Sequence, residues 1–249
     1  MAAPQHSALG SVDPADYPSQ PFTDEDWQWV CARAQEHGIV SLSPYRQQVE
    51  ALYGHLSGVN RWMNLTRIAS DRAYLQQHLL DSLIATAAPW WPGGDAPLRC
   101  ADLGSGGGYP GLPLAMVMPH SLWLLVDSRQ RKARFLDAAG SLVDAARVTG
   151  MAFRGREAAS AAPAWAYQCD ILTTRATGTV LAMIDEAMPL LRSGGWLLAW
   201  QGPSFAGEQE NQLRQQLVDQ RSAWSAVEVH PYRFADADPW RYIVSVRKR

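Results

Sequence analysis

A glycine-rich segment between two apolar stretches constrains the fold of this chain more than any other feature. Residues 98–103 are predicted to form a buried strand, and the run Gly104-Ser105-Gly106-Gly107-Gly108-Tyr109-Pro110-Gly111 follows directly. Residues 112–118 are predicted to form an apolar helix and residues 122–127 a second buried strand. Glycines after a strand let the backbone approach a ligand closely, and the next helix points its free N–H groups at that ligand. The segment therefore predicts a site for a nucleoside cofactor.

Two cofactors are compatible with these parts. The stretch from Gly106 to Gly111 matches the G-x-G-x-x-G pattern of dinucleotide binding, with Asp127 about 20 residues downstream as an acceptor for ribose hydroxyls. However, Gly104 follows the strand directly, so the turn is longer than the tight dinucleotide turn. Asp102-x-Gly104-x-Gly106 is typical of S-adenosylmethionine sites. We favour S-adenosyl-L-methionine and keep an NAD-dependent dehydrogenase as an alternative.

Composition limits the class of protein. A length of 249 residues with 47% hydrophobic and 18% charged side chains fits one α/β domain with an N-terminal extension. No apolar run approaches the roughly 18–20 residues of a membrane span, and residues 1–20 lack the pattern of a secretory signal. The cysteines form no C-x-x-C pair, so neither a metal site nor a disulfide framework is predicted. We expect a cytoplasmic protein without membrane contacts.

The N-terminal third is predicted to be helical. Residues 1–21 have no periodicity and are expected to form a disordered tail. Thr23 and Asp26 resemble a capping box before a helix over residues 24–37. Further helices are expected from Ser43-Pro44 onward and from Ser70, as a cap, to Pro89. These signals predict an N-terminal helical cap over residues 22–92 and a sheet domain over residues 93–249.

The rest of the chain alternates between predicted strands and helices, which indicates a parallel sheet covered on both faces. Strands are expected over residues 151–154, 170–174 and 196–201, and helices over 128–147, 177–192 and 203–221, with Gly194-Gly195 as a turn. Residues 224–232 and 241–246 alternate in hydrophobicity and predict an antiparallel hairpin at the sheet edge.

Several phrases of the sequence, in this order, carry a family resemblance. They are Asn64-Leu65-Thr66, His78-Leu79-Leu80-Asp81-Ser82-Leu83, Asp102-Leu103-Gly104-Ser105-Gly106, Pro110-Gly111-Leu112-Pro113, Asp127-Ser128 and Thr174-Arg175-Ala176. Over about residues 45–247 the chain resembles the glucose-inhibited division protein B family, which methylates N7 of a guanine in bacterial 16S ribosomal RNA. The resemblance implies a Rossmann-like class I S-adenosylmethionine-dependent methyltransferase with ribosomal RNA or the small ribosomal subunit particle as partner. We expect a monomer.

The candidate cofactor-binding residues are Asp102, Gly104, Gly106, Tyr109, Asp127, Ser128, Arg129, Arg156, Glu157 and Arg175. The resemblance places Gly104, Tyr109 and the turn at 127–129 on family cofactor positions, together with Arg156-Glu157 and Arg175. Each role has an alternative. Asp127 is a candidate cap of the next helix, Arg156-Glu157 an exposed ion pair, and Arg175 a buried salt bridge. Asp102 is expected to order the loop or to contact the methionine amine.

The expected chemistry needs no acid or base. Guanine N7 has an in-plane lone pair and no proton to lose, so catalysis would rest on positioning. We therefore predict no catalytic residue and name Arg175 and Gln201 as positioning candidates. His78 is interpreted as a packed, hydrogen-bonded histidine, for which Asp81 is a candidate partner.

Two positions depart from the family pattern. Tyr109 replaces an aliphatic residue or Phe, and Gln201 replaces the Lys that usually ends its strand. Gln201 leaves open a methyltransferase for another RNA, a protein or a small molecule, as well as a non-catalytic cofactor- or RNA-binding module. Two groups of basic residues, Arg129, Arg131, Lys132 and Arg134 in one and Arg247-Lys248-Arg249 in the other, are candidates for RNA phosphate contacts or for solvated charge runs. Any exposed tryptophan is a candidate for base stacking.

Overall fold

The computed structural model of the chain describes residues 10–67, 70–89, 91–92, 95–175, 178–219 and 223–249. Its strands are β1 (Arg99–Leu103), β2 (Leu122–Asp127), β3 (Val148–Ala152), β4 (Cys169–Arg175), β5 (Leu191–Gln201), β6 (Trp224–Tyr232) and β7 (Arg241–Lys248). They form one seven-stranded sheet in the order β3-β2-β1-β4-β5-β7-β6. Strands β1 to β5 are parallel, whereas β7 runs antiparallel between β5 and β6. The predicted parallel sheet and edge hairpin are confirmed.

The helices before the sheet are α1 (Asp24–Glu36), α2 (Arg46–Met63), α3 (Asp71–Tyr74) and α4 (Asp81–Leu83); α5 (Gly111–Val117), α6 (Gln130–Asp144), α7 (Ala158–Ala161), α8 (Val180–Ala187) and α9 (Glu208–Asp219) follow. Thr23 caps α1 by accepting a hydrogen bond from the Asp26 amide, as the sequence predicts. Between α3 and α4 the chain winds as a π-helix over Leu75–Leu80. In the described part of the chain, no helix has the length and apolar character that a membrane crossing requires.

Alternating side chains of each strand supply two separate cores, one on each face of the sheet. Leu125 and Leu198 face the core formed with α1 to α6, whereas their neighbours Leu124 and Leu197 face the core formed with α8 and α9. Residues 123–126 of β2 are all apolar and fully buried, as expected for a parallel strand covered on both faces. The N-terminal helices share the first core with the sheet. Their separation into a cap over residues 22–92 stays a prediction.

Residues 11–21 pack on α2 and do not form the expected disordered tail; residues 1–9 lie outside the described part. The Gln20 amide donates to the Glu50 carbonyl at 3.0 Å. A Cβ at Gly54 would overlap the backbone of Pro18, and one at Gly58 would overlap the Tyr17 ring. Two glycines on one face of α2 thus admit an irregular segment that lacks the periodicity of a helix or strand. We call residues 11–21 the strap.

Several predicted boundaries differ from the structure. The Ser70 side chain makes no capping hydrogen bond, and β3 begins earlier than expected, at Val148. The helix expected over residues 177–192 spans only Val180–Ala187 among the described residues, because β5 already starts at Leu191. Gly194 lies inside this strand with φ of 78°. Its positive φ lets the strand continue through an irregularity in pairing with β4.

The packing of the strap predicts the effect of a larger residue at position 54. Gly54→Val should displace residues 11–21 and lower the free energy of unfolding by about 1–3 kcal/mol, the usual cost of overpacking. Urea unfolding and limited proteolysis would measure both effects, with faster cleavage expected within the strap. Gly202→Ala is the control, because a Cβ at Gly202 meets no atom within 4 Å. Equal behaviour of the two variants would contradict the packing described here.

Candidate functional site

Two adjoining cavities lie at the carboxyl ends of β1, β2 and β4. The first, of about 360 Å³, is lined by the ends of β1 and β2, by residues 153–155 and by α8. The second, of about 740 Å³, lies between the glycine loop, residues 64–67 and Arg175. Gly104 and Lys132 line both cavities, and we call the two adjoining cavities together the groove. Open α/β sheets bind their ligands at this edge.

Asp102 holds the glycine loop in shape from beneath. Its Oδ2 accepts hydrogen bonds from the Ser105 hydroxyl at 2.5 Å and the Gly111 amide at 3.1 Å. Its Oδ1 accepts one from the Thr173 hydroxyl at 2.8 Å. The side chain is fully buried, and burial raises the pKa of Asp102 to about 6. Of the two expected roles, the structure shows the ordering of the loop.

The glycine loop needs its glycines for backbone conformation and for space. Gly104, Gly106 and Gly108 have φ values of 67°, 58° and 94°, and residues with a Cβ rarely adopt such positive φ values. A Cβ on Gly111 would overlap Leu125 and crowd Asp102. The loop therefore presents bare backbone to the groove while its far side is closed by the Asp102 carboxylate.

Asp127 ends β2 with one carboxylate oxygen engaged by the protein. Oδ1 accepts a hydrogen bond from the Arg129 amide at 2.9 Å. Oδ2 lies 4.0 Å from the Lys132 ammonium, and both side chains line the first cavity. Ser128 and Arg129 line the same cavity. The role of Asp127 as a cap of the next helix thus uses only Oδ1, and Oδ2 remains a hydrogen-bond acceptor beside the groove.

The segment with Arg156 and Glu157 forms a short turn beside the first cavity. Arg156 forms an ion pair with Glu186, with Nε to Oε1 at 2.8 Å. Glu157 accepts a hydrogen bond from the Arg154 amide at 2.9 Å. The cavity itself is lined by Arg154, Gly155 and Glu186 from this region. Arg156 thus pairs with Glu186 and not with the neighbouring Glu157, and these contacts fix the turn.

Arg175 reaches from the end of β4 into a polar cluster. Its Nη1 donates to Asp81 Oδ2 at 2.8 Å and to the Gln77 carbonyl at 2.9 Å. Its Nη2 donates to Nδ1 of His78 at 2.9 Å. Because a guanidinium only donates, Nδ1 of His78 accepts and Nε2 carries the proton. Nε2 donates a hydrogen bond to the Thr66 hydroxyl oxygen at 2.9 Å. Burial, with help from Arg175, lowers the pKa of His78 to about 3, so the ring is neutral.

Asp81 is not the partner of His78, contrary to the interpretation of the sequence. Besides Arg175, it accepts hydrogen bonds on Oδ1 from the Tyr232 hydroxyl and from Arg241, each at 2.7 Å. The Asp81 carbonyl also accepts the Trp200 indole N–H at 2.6 Å. The Asp81 side chain is 1% exposed. One carboxylate thus neutralises part of the charge of two arginines from different strands.

The wall opposite the sheet comes from the helical region. Tyr109 is buried, its hydroxyl lies 2.7 Å from that of Tyr74, and its ring stacks on His78 with centroids 4.4 Å apart. Residues 64–66 form a clip in which the Asn60 Oδ1 accepts the amides of Leu65 and Thr66 at 2.7 and 2.9 Å. The segment thus combines side-chain-to-backbone hydrogen bonds with a position beside the groove.

The structure brings most candidate residues together around the groove, namely Asp102, Gly104, Gly106, Tyr109, Asp127, Ser128, Arg129 and Arg175. Gln201 is half-buried at the end of β5, where it pairs with Tyr242 in the ladder. Lys132 was considered only for RNA contact, yet it lines both cavities. Phe153 and Met183, two apolar wall residues, carried no motif that could have found them.

Known proteins with similar sequences or structures were found. The sequence model of the GidB family, described as rRNA small subunit methyltransferase G, matches residues 45–233. A ribosomal RNA small subunit methyltransferase G from Xanthomonas axonopodis pv. citri is 34% identical over 220 residues, which cover 86% of this chain and 94% of that protein. A protein of the same description from Roseiflexus sp. is 31% identical, covering 80% of this chain and 83% of that protein.

Solved structures support the same fold. A predicted O-methyltransferase from Agrobacterium tumefaciens has a TM-score of 0.51 at 22% identity, covering 68% of this chain and 79% of that chain. The M. jannaschii TYW2 in complex with AdoMet has a TM-score of 0.50 at 12% identity, covering 73% of this chain and 78% of that chain. At these identities the likeness concerns the fold alone, and it confirms the Rossmann-like methyltransferase sheet.

The raised pKa of Asp102 predicts a pH dependence of stability. The native carboxyl takes up its proton near pH 6, whereas the ordinary value is 3.8. The cost of the buried charge therefore disappears as the pH falls through 6 toward 3.8. Relative to Asp102→Asn, the wild type should gain about 2 kcal/mol in free energy of unfolding between about pH 7.5 and pH 4.5. Urea unfolding across this range measures the difference, and a difference independent of pH would refute the assignment.

The Asp81 cluster predicts a large loss of stability when its carboxylate is removed. Asp81→Asn should lower the free energy of unfolding by about 3–5 kcal/mol, since it leaves two arginines without their buried counter-charge. Asp236→Asn is the matched control, because Asp236 pairs with Arg233 at the surface with its side chain 98% exposed and should cost less than about 1 kcal/mol. Denaturant unfolding of both variants decides, and similar losses would argue against the role of Asp81.

Proposed function

The chain belongs to the GidB family, rRNA small subunit methyltransferase G, and we infer from this that it methylates small-subunit ribosomal RNA with S-adenosyl-L-methionine as donor. The acceptor implied by the family resemblance is N7 of a guanine in 16S ribosomal RNA. The match over residues 45–233 carries this conclusion. The groove at the carboxyl edge of the sheet supports it, because it has the chemistry that the donor needs.

The groove fits S-adenosylmethionine in size and in polar groups. Its two joined cavities of about 360 and 740 Å³ leave room for a nucleoside and an amino-acid chain. The first has apolar walls, Phe153 and Met183, beside Oδ2 of Asp127, which lies 4.0 Å from the Lys132 ammonium. That combination suits an adenine next to a ribose. The second cavity presents the backbone of the glycine loop, which suits the methionine portion.

The cofactor-binding set follows from this fit. Asp127, Ser128 and Arg129 would hold the ribose side. Gly104, Gly106, Tyr109 and Arg175 would hold the methionine side, and Asp102 keeps their loop in shape. Arg156 and Glu157 would act through the turn that they fix beside the adenine. Bound here, the cofactor supplies an electrophilic methyl group, and the residues of this chain supply its orientation.

The protein residues around the groove support positioning without a general base. His78 is the group most suited by type to acid-base work, yet its nitrogens are engaged by Arg175 and Thr66. With a pKa of about 3 it stays neutral and acts as a support for Arg175. This agrees with an acceptor such as guanine N7, which has no proton to remove.

The comparisons do not favour the alternatives. Dinucleotide-binding sheets have the order 3-2-1-4-5-6, whereas here an antiparallel β7 separates β5 from β6. The relatives are described as ribosomal RNA methyltransferases, although this chain has Gln201 in place of the usual Lys. We propose that the partner is ribosomal RNA, free or within the small subunit, and that the protein acts as a cytoplasmic monomer.

Methyl transfer and cofactor binding test this function. The wild type should incorporate labelled methyl groups into an unmodified 16S ribosomal RNA transcript, at N7 of one guanine. By calorimetry, Asp127→Ala should weaken S-adenosylmethionine binding by about 1.5–3 kcal/mol, the scale for hydrogen bonds to a charged group. Asp144→Ala is the control, since Asp144 pairs with Arg147 at the other end of α6. A folded wild type that binds no S-adenosylmethionine would refute the proposal.

A further inference from the structure

Exposed arginines on one side of the groove form no ion pair within the described residues, whereas Arg175, which also lines the groove, pairs with Asp81. Arginines elsewhere, such as Arg46, Arg72 and Arg192, form ion pairs with carboxylates. Five exposed arginines on α2, on α6 and on the residues that adjoin these helices make no such pair within the described ranges: Arg61, Arg67, Arg129, Arg131 and Arg134. We call these five residues the basic rim.

The basic rim borders the groove along one side. Arg67 lines the second cavity and Arg129 the first. Arg131 lies over the ring of Trp62, next to Arg61, with its guanidinium carbon 5.3 Å from the ring centroid. Arg134 lies on α6 one turn beyond Arg131. A chain with a formal net charge of −2 thus concentrates unpaired positive charge at the mouth of its candidate cofactor site.

Trp62 within this surface is held in place by the strap. Its indole N–H donates to the Tyr17 hydroxyl at 3.2 Å, and that hydroxyl donates to the Ser11 carbonyl at 2.7 Å. The Tyr17 ring lies where a Cβ of Gly58 would be. Trp62 is half-buried, so the residue is not closed off from solvent. The strap precedes residues 45–233, the part matched by the family model.

We propose that the basic rim and Trp62 form the docking surface for the substrate RNA, with Trp62 stacking on an unpaired base. The proposal rests on the proposed function. Unpaired arginines attract phosphates most strongly because no carboxylate competes for them. An aromatic ring beside a basic groove is the usual platform for single-stranded bases. The surface continues into the groove, where the base to be methylated must enter.

A second tryptophan offers a matched contrast. Trp240, on the β6–β7 loop, is 45% exposed and lies under the Arg233 guanidinium at 4.5 Å. However, Arg233 pairs with Asp236 at 2.7 Å, and Asp238 follows in the same loop. The two sites therefore share an arginine stacked on a tryptophan but differ in whether acids neutralise it.

RNA affinity measured against salt concentration tests the docking surface. By fluorescence anisotropy with a labelled, unmodified 16S ribosomal RNA transcript, Trp62→Ala should bind about 5- to 150-fold more weakly. Trp62→Phe should retain most of the affinity, and Tyr17→Phe should lose about 2- to 10-fold. Arg131→Gln should also reduce the slope of log affinity against log salt by about one. Trp240→Ala and Arg233→Gln are the controls and should match the wild type.

The outcomes separate this proposal from the proposed function. If the wild type neither binds nor methylates the transcript, the proposed function fails. If it does both, and Trp62→Ala and Arg131→Gln bind equally well, the docking surface is refuted. Calorimetry with S-adenosylhomocysteine should give unchanged affinity for Trp62→Ala and Arg131→Gln, because neither residue lines the two cavities or belongs to the cofactor-binding set. A matching loss of cofactor affinity would show a structural role, and weakened binding only to the assembled small subunit would indicate a protein partner; either result overturns the proposal.

Discussion

The buried carboxylate of Asp81 is the interaction on which the arrangement of the site depends. Its oxygens accept from Arg175 at the end of β4, Arg241 at the start of β7 and Tyr232 at the end of β6, and its carbonyl accepts from Trp200 on β5. One helical residue therefore aligns the ends of four strands. A buried charge is tolerated only when it is paired and hydrogen-bonded. The loss of one of these contacts would therefore destabilise the others. With two arginines, one carboxylate and a neutral His78, the cluster keeps a surplus positive charge beside the groove.

Asp102 serves the other side of the groove by different means. Within the described residues no cation forms an ion pair with Asp102; two hydroxyls and an amide hold it, and burial raises its pKa to about 6. The carboxylate is thus costly to bury, and it remains because the glycine loop needs a fixed acceptor. Both acids act on the site through other groups. The loop backbone and the Arg175 side chain are consequently placed before any ligand binds, which lowers the ordering cost of binding.

How much the sequence reveals depends on whether a feature is local. The strand–turn–helix–strand unit around Gly104, the Thr23 cap and the terminal hairpin were predictable, because turn residues and alternating side chains encode them within a few positions. Gly194 was misread as a turn, since a glycine with positive φ also permits a strand irregularity, and only the pairing with β4 distinguishes the two. The Asp81 cluster joins residues up to 160 positions apart. No pattern within one segment reports such contacts, and the strap escaped prediction for the same reason.

Charge distribution, and not net charge, decides what this surface can bind. Unpaired arginines repel one another, and they lack the stabilising free energy that an ion pair would give the native state. Arg131 is partly compensated by the Trp62 ring, and Trp62 is itself fixed through Tyr17 of the strap. Gly54 and Gly58 on α2 make room for that strap. The two small residues on a buried face of α2 therefore determine the geometry of the charged surface at the C-terminal end of this helix. A change in the strap would alter the position of Trp62 in this surface without contacting the groove.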